Sequence, residues 1–209
     1  MHILDTGPIF KFLTTDCTPQ LLVALGHNVI CVPAAVEYEI FDTPRRRKQF
    51  ARAAEVWRKS FPDRFRRVLS DEPSAELREC CLTVFGLEFS EMYSQTKDRG
   101  ETMAILHGVL AARSGEQVLI VCDDEAGIRT IERQSAILRE QQSRGLYNSG
   151  GSISHADTLT LLRWAIQNGA FESKTEFLKR YKRMASLDEA LPKEIKKTDL
   201  LSPHLWKSK

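Results

Sequence analysis

Met1-His2-Ile3-Leu4-Asp5-Thr6-Gly7-Pro8-Ile9-Phe10-Lys11-Phe12-Leu13 opens the chain, and its reading decides the fold. The short apolar run at its start reads as a buried strand that stops at an acid, a hydroxyl and Gly7-Pro8 before an apolar, helix-like segment begins. Asp5 is thereby placed at the carboxyl end of a first strand. In open α/β sheets sites are built at that edge, where loops and helix N-termini converge. Two readings of Asp5 stand: a cap for the N–H groups of the following helix, or the first member of a site. Acids at similar junctions further along weigh toward the second.

The 209 residues suit one well-buried domain with additions, and 42% hydrophobic with 28% charged residues excludes disorder as the default. A net charge of +2 does not by itself argue for a nucleic-acid partner, so the distribution of charge has to decide. Cys17, Cys31, Cys80, Cys81 and Cys122 form an odd set without paired metal-ligand spacing, as expected of reduced, mostly buried thiols. No basic and then apolar leader opens the chain, and no apolar run nears the roughly 18 residues of a bilayer span. A cytoplasmic protein with no membrane contact is expected.

Taken in order, Pro19 to Leu25 reads as a short helix stopped by Gly26, and Asn28 to Val32 as a strand. Pro33 suits the first turn of the next helix. There Val36 and Ile40 share the core side; Glu39 beside that stripe is either a solvated helix glutamate or the better candidate to face a site near the sheet edge, and Glu37 points away. Thr43-Pro44 is expected to open another helix, with Phe50, Ala54, Trp57 and Phe61 as its apolar face. Arg45, Arg46, Arg47, Lys48 and Arg52, continued by Arg58, Lys59, Arg64, Arg66 and Arg67, are the densest positive charge in the chain. Such a run is either a solvated face or a surface that pairs with phosphates, and its single sign favours the second. With Leu77, Cys81, Val84 and Phe85 on a further helix, residues 43–97 read as an inserted helical hairpin.

Glu101 starts a helix that is otherwise almost wholly apolar through Ala112; an acid in the first turn suits the helix macrodipole, and the burial such a helix requires favours a carboxylate at the sheet rim. His107 on that helix reads as a packed core histidine. Val118 to Cys122 is the clearest buried strand, and it ends in Asp123-Asp124-Glu125. Three adjacent acids there call for a basic or cationic partner, and at least one of them for an N-cap role. A helix from about Asp157 to Asn168 follows, then one opened by the capping box Ser173-Lys174-Thr175-Glu176. Residues 186–209 read as a loosely packed polar tail.

Parallel crossovers would bring Asp5, Glu39, Glu101, Asp123 and Asp124 to one sheet edge. Carboxylates without histidine or thiol ligands make a hard-oxygen site suited to Mg²⁺ or Mn²⁺. Such ions activate water for attack on a phosphodiester, so hydrolysis of a nucleic acid is the economical reading.

Ile3-Leu4-Asp5-Thr6-Gly7, Val32-Pro33-Ala34-Ala35-Val36-Glu37-Tyr38-Glu39-Ile40, Gly100-Glu101-Thr102-Met103-Ala104-Ile105 and Val118-Leu119-Ile120-Val121-Cys122-Asp123-Asp124 resemble, in order, the acidic motifs of PIN-domain nucleases. The likeness covers about residues 1–185 and is strongest to a bacterial subgroup close to the VapC toxins. It implies a Rossmann-like three-layer α/β/α fold with a parallel central sheet and C-terminal helices. It further implies a metal-dependent endoribonuclease, often a dimeric toxin held by an antitoxin protein. Asp5, Glu39, Glu101 and one of Asp123 and Asp124 would hold metal, with Thr6 hydrogen-bonding within the site. Two features depart from the family pattern: the long basic insertion, and Cys122 where related sequences often carry Thr or Ser. The rival from another class is a catalytically silent PIN-like module that binds RNA or protein.

Overall fold

The computed structural model describes residues 1–95 and 97–206. The chain runs β1 (His2–Leu4), α1 (Thr6–Thr14), α2 (Thr18–Ala24), β2 (Ile30–Pro33), α3 (Ala34–Arg46), α4 (Ala51–Lys59), β3 (Arg66–Leu69), α5 (Ala75–Phe85), α6 (Phe89–Ser94) and α7 (Arg99–Arg113). It continues through β4 (Gln117–Val121), α8 (Glu125–Ser143), β5 (Ser152–Ala156), α9 (Thr158–Gln167) and α10 (Lys174–Ala185). All neighbouring strands pair in parallel, in the order β3-β2-β1-β4-β5.

Successive side chains of a strand face opposite ways, and the two faces of this sheet bury separate apolar layers. Leu4, Ile30, Val32 and Val121 pack with α1, α2, α9 and α10, whereas Ile3, Cys31, Val118 and Ile120 pack with α5, α7 and α8. The fold is therefore α/β with helices on both faces, compatible with a three-layer sandwich. Because β2 and β3 extend to one side of β1 and β4 and β5 to the other, strand order reverses between β1 and β4. Their carboxyl ends bound the crevice where such sheets take ligands. The Asp5 N–H donates to the Val121 carbonyl at 2.9 Å and ties the two ends together.

Three expectations are corrected. Pro44 opens no helix; it sits inside α3, which continues from Ala34 until the extended backbone of Arg47 (φ −128°, ψ 91°) ends it. Residues 43–97 are not a helical hairpin, because Arg66-Arg67-Val68-Leu69 pairs with β2 as the edge strand β3. An edge strand has wet neighbours, so arginines are tolerated there and no apolar run marks it. Residues 186–206 are not a loose tail. Leu191, Leu200 and Leu205 are buried in the core around α10, and the Tyr181 hydroxyl donates to the Pro192 carbonyl at 2.6 Å. Residues 207–209 of that stretch, like residue 96 of the insertion, lie outside the described residues. Among the described residues no helix is long and apolar enough to cross a membrane.

Candidate active site

Asp5 directly follows β1 and caps α1, accepting from the Gly7 N–H at 3.4 Å. Cap and site are thus the same residue. Thr6, the first residue of α1, donates its hydroxyl to Glu39 Oε2 at 2.6 Å and so fixes the carboxylate that α3 presents to the rim. Glu37, on the other side of α3, accepts from the Trp57 indole instead. Glu101 enters from the first turn of α7, and Asp123 and Asp124 from the end of β4. Asp5, Thr6, Glu39, Glu101, Asp123 and Asp124 all line one cavity of about 310 Å³, together with Lys11, Asp98 and Asp188.

Two glycines make the convergence possible. A Cβ on Gly100 would fall 2.9 Å from Val36 Cγ2 and 3.1 Å from Glu39 Oε1, and one on Gly127 would fall 2.6 Å from the Glu101 carboxyl carbon. Both carboxylates occupy room that any side chain at these positions would take.

The electrostatics reflect the crowding. Burial pushes the Asp5 carboxyl up to about 7, with the Glu39 and Asp123 charges adding to it and the Thr6 and Gly7 amides opposing it. Burial, then the Asp5 and Asp124 charges, push Glu101 to about 7 as well, against the pull of the Cys122 thiol. That thiol donates to Glu101 Oε2 at 3.4 Å, and ligand atoms of Asp5, Glu101 and Cys122 all lie within 4.8 Å of one another. A thiol thus stands among the carboxylates. Burial and the adjoining Asp5 and Glu101 charges hold the thiol far above its ordinary range, so it acts as a hydrogen-bond donor and the anionic atoms are oxygens.

The aspartate pair divides its work. Asp124 is the N-cap of α8, its Oδ1 accepting from Ala126 at 2.8 Å and Gly127 at 3.0 Å. Asp123 accepts from the Thr158 N–H and hydroxyl, both at 2.7 Å, and from Lys11 Nζ at 2.9 Å. Lys11 is fully buried and also pairs with Asp188 at 2.5 Å. Burial works against its charge, but the two carboxylates more than offset this and hold the ammonium above its ordinary value. Lys11 is the basic partner that the acid triplet demands. A lysine between Phe10 and Phe12 in an apolar helix is the sequence signal for it, since a buried charge needs a partner. Asp188 carries no such signal, being one acid in a polar stretch.

The basic run is only partly brought to the site. Arg46 and Arg47 line a groove that continues the cavity, whereas Arg45, Lys48 and Arg52 do not. Arg52 pairs with Asp16, Arg46 pairs with Asp42 at 2.5 Å, and Arg58, Arg64 and Arg66 lie over aromatic rings. His107 is a packed histidine, its Nε2 3.0 Å from buried Asp71. No family model matches the chain, and neither curated proteins nor solved structures give a match.

Proposed function

We propose that the chain is a divalent-metal-dependent endoribonuclease of the PIN class. The observation that carries this reading is the convergence of Asp5, Glu39, Glu101, Asp123 and Asp124 on one cavity at the strand-order reversal, with two carboxyls raised to about 7. Acids pushed together against their own repulsion suit a cation of high charge, and oxygen donors without histidine suit Mg²⁺ or Mn²⁺. Asp5 and Glu101, with Glu39 and Asp124 beside them, would hold it. Asp123 has both oxygens engaged by Thr158 and Lys11, which leaves Asp124 as the freer member of the pair. A bound ion would orient and deprotonate a water and neutralise charge developing on the phosphoryl group. The chain's own part is positional: Thr6 orients Glu39, Lys11 and Thr158 fix Asp123, and Gly127 makes room for Glu101. Arg47 supplies a cation beside the cavity for the backbone of the strand, while Arg46 next to it is paired with Asp42.

A toxin role with an antitoxin partner, a homodimeric state and a cytoplasmic location follow from the family resemblance alone. The chemistry is tested by incubating mixed bacterial RNA with wild type and Asp5→Asn in Mg²⁺, in Mn²⁺ and in EDTA. Metal-dependent fragments from wild type alone support the reading. No fragments under any condition, with RNA still bound, would leave a binding module in its place.

A further inference from the structure

Outside the cavity, two helices that carry site acids are joined by a buried acid with no part in the chemistry above. Asp71 lies two residues beyond β3 and is 6% exposed. Its Oδ2 accepts from the Ala35 N–H at 2.6 Å, and its Oδ1 stands 3.0 Å from His107 Nε2. Ala35 belongs to the first turn of α3, whose N-cap, Pro33, offers that turn no side-chain acceptor. Asp71 therefore supplies, from 36 residues away, the cap that the local sequence lacks. Since His107 is on α7, one carboxylate ties α3 to α7. A buried carboxylate is costly unless its oxygens are engaged, which holds Asp71 to this double contact.

Glu39 follows Ala35 by about one helical turn, and Glu101 precedes His107 on the same helix. At the rim the two helices touch a second time, because Gly100 packs on α3 so closely that a Cβ there would fall 2.9 Å from Val36 Cγ2 and 3.1 Å from Glu39 Oε1. A helix held at two points cannot rock about either one. We propose that the Asp71–His107 pair is a positioning clamp, which fixes α7 against the start of α3 and so sets the spacing of Glu39 and Glu101 across the cavity. What that spacing serves rests on the metal-site reading above. Neither Asp71 nor His107 lines the cavity, so both act through the helices. Outer groups that orient metal ligands alter affinity by about ten-fold or more when removed.

The test uses full-length chains: wild type, Asp71→Ala, His107→Leu, Asp71→Asn, and Leu162→Ala as a core control on the opposite face of the sheet. Circular dichroism verifies each fold, and urea unfolding reads its stability. NMR of the metal-free chains reads the NOE between the Gly100 α-protons and the Val36 methyls, and calorimetry then reads Mn²⁺ affinity. Asp71→Ala and His107→Leu should weaken the NOE several-fold and Mn²⁺ binding about ten-fold. Asp71→Asn, whose amide can accept from Ala35 and donate to a neutral His107, should match wild type in both. Leu162→Ala should lose stability in urea and keep both. Should Asp71→Ala not fold, His107→Leu, which keeps a side chain of similar bulk, carries the test. An unchanged NOE in the folded clamp variants would overturn the proposal, as would a weakened NOE with wild-type Mn²⁺ affinity, or equal losses in Leu162→Ala. If the wild type takes up no Mn²⁺, the metal reading falls and the NOE alone decides the clamp.

Discussion

Asp5→Asn should make the metal-free protein more stable while abolishing cleavage. The Asp5 carboxyl is raised from 3.8 to about 7, so between those values the unfolded chain has released a proton that the folded chain retains. The unfolding free energy therefore falls as pH rises through that window, and the penalty is complete above it. A span of about three pH units at about 1.4 kcal/mol each sets a ceiling of about 4 kcal/mol. Asp5 is half-buried at a rim that water reaches, and screening reduces the figure to about 2 kcal/mol. Asparagine removes the charge and still caps α1. For a domain of this size the variant should melt about 4–8 °C above wild type in EDTA at pH 8. At pH 5 most of the penalty has not yet accrued, and the gap should shrink to about a third. Excess Mn²⁺ should reverse the ranking, adding about 2.7 kcal/mol to wild type at a hundred times its Kd. Thermal melts by circular dichroism at both pH values, with and without metal, read all of this. A folded Asp5→Asn that melts no higher than wild type at pH 8 in EDTA would refute the claim that burial, with the neighbouring carboxylates adding to it, makes the Asp5 charge costly in the folded chain.

The other predictions concern the parts that hold the site open and the ions it takes. Gly127→Ala should leave the melting temperature unchanged or raised, since alanine favours α8 by up to about 1 kcal/mol. It should nevertheless cut cleavage by about ten-fold or more, because the new methyl displaces Glu101; equal rates would contradict the close approach. Lys11→Met should leave Asp123 and Asp188 facing each other without their cation and destabilise the fold by about 3 kcal/mol, read from urea unfolding. Because Asp5 and Glu101 bind protons up to about pH 7, Mn²⁺ has to displace those protons. Titration calorimetry should find Mn²⁺ binding about a hundred-fold weaker at pH 6 than at pH 8, about ten-fold for each carboxyl, and affinity independent of pH would count against metal binding by these two carboxylates.

What can be read from the sequence follows from how local each determinant is. Strands β1, β2 and β4 are buried on both faces and read as apolar runs. The α9 and α10 starts are legible because Asp157 and Ser173 accept from N–H groups three residues on. The two outer strands escape such a reading for one reason. Arg66-Arg67-Val68-Leu69 and Ser152-Ile153-Ser154-His155-Ala156 each have a wet edge, so neither carries an apolar run. Asp5, Glu39, Glu101, Asp123 and Asp124 can be found because each sits at a strand end or on a helix bordering the sheet rim. Asp188 cannot, because what selects it is buried Lys11, far away in the chain and joined only by the fold. Cys122 reads as a core thiol and is one, but its position after β4 also turns it toward Glu101.

The all-parallel sheet also bears on how fast the protein forms and comes apart. Parallel neighbours are joined only through crossovers, so contacts between distant segments form slowly. The five acids come from four separate segments, and they meet only when β1 and β4 are already side by side. Repulsion among them is therefore absent from the early, loosely collapsed chain and grows late on the path. Interactions that form after the rate-limiting step act on the escape rate from the native state and leave the approach to it unchanged. Protons or a divalent cation at this edge would accordingly lengthen the lifetime of the folded chain without hastening its formation.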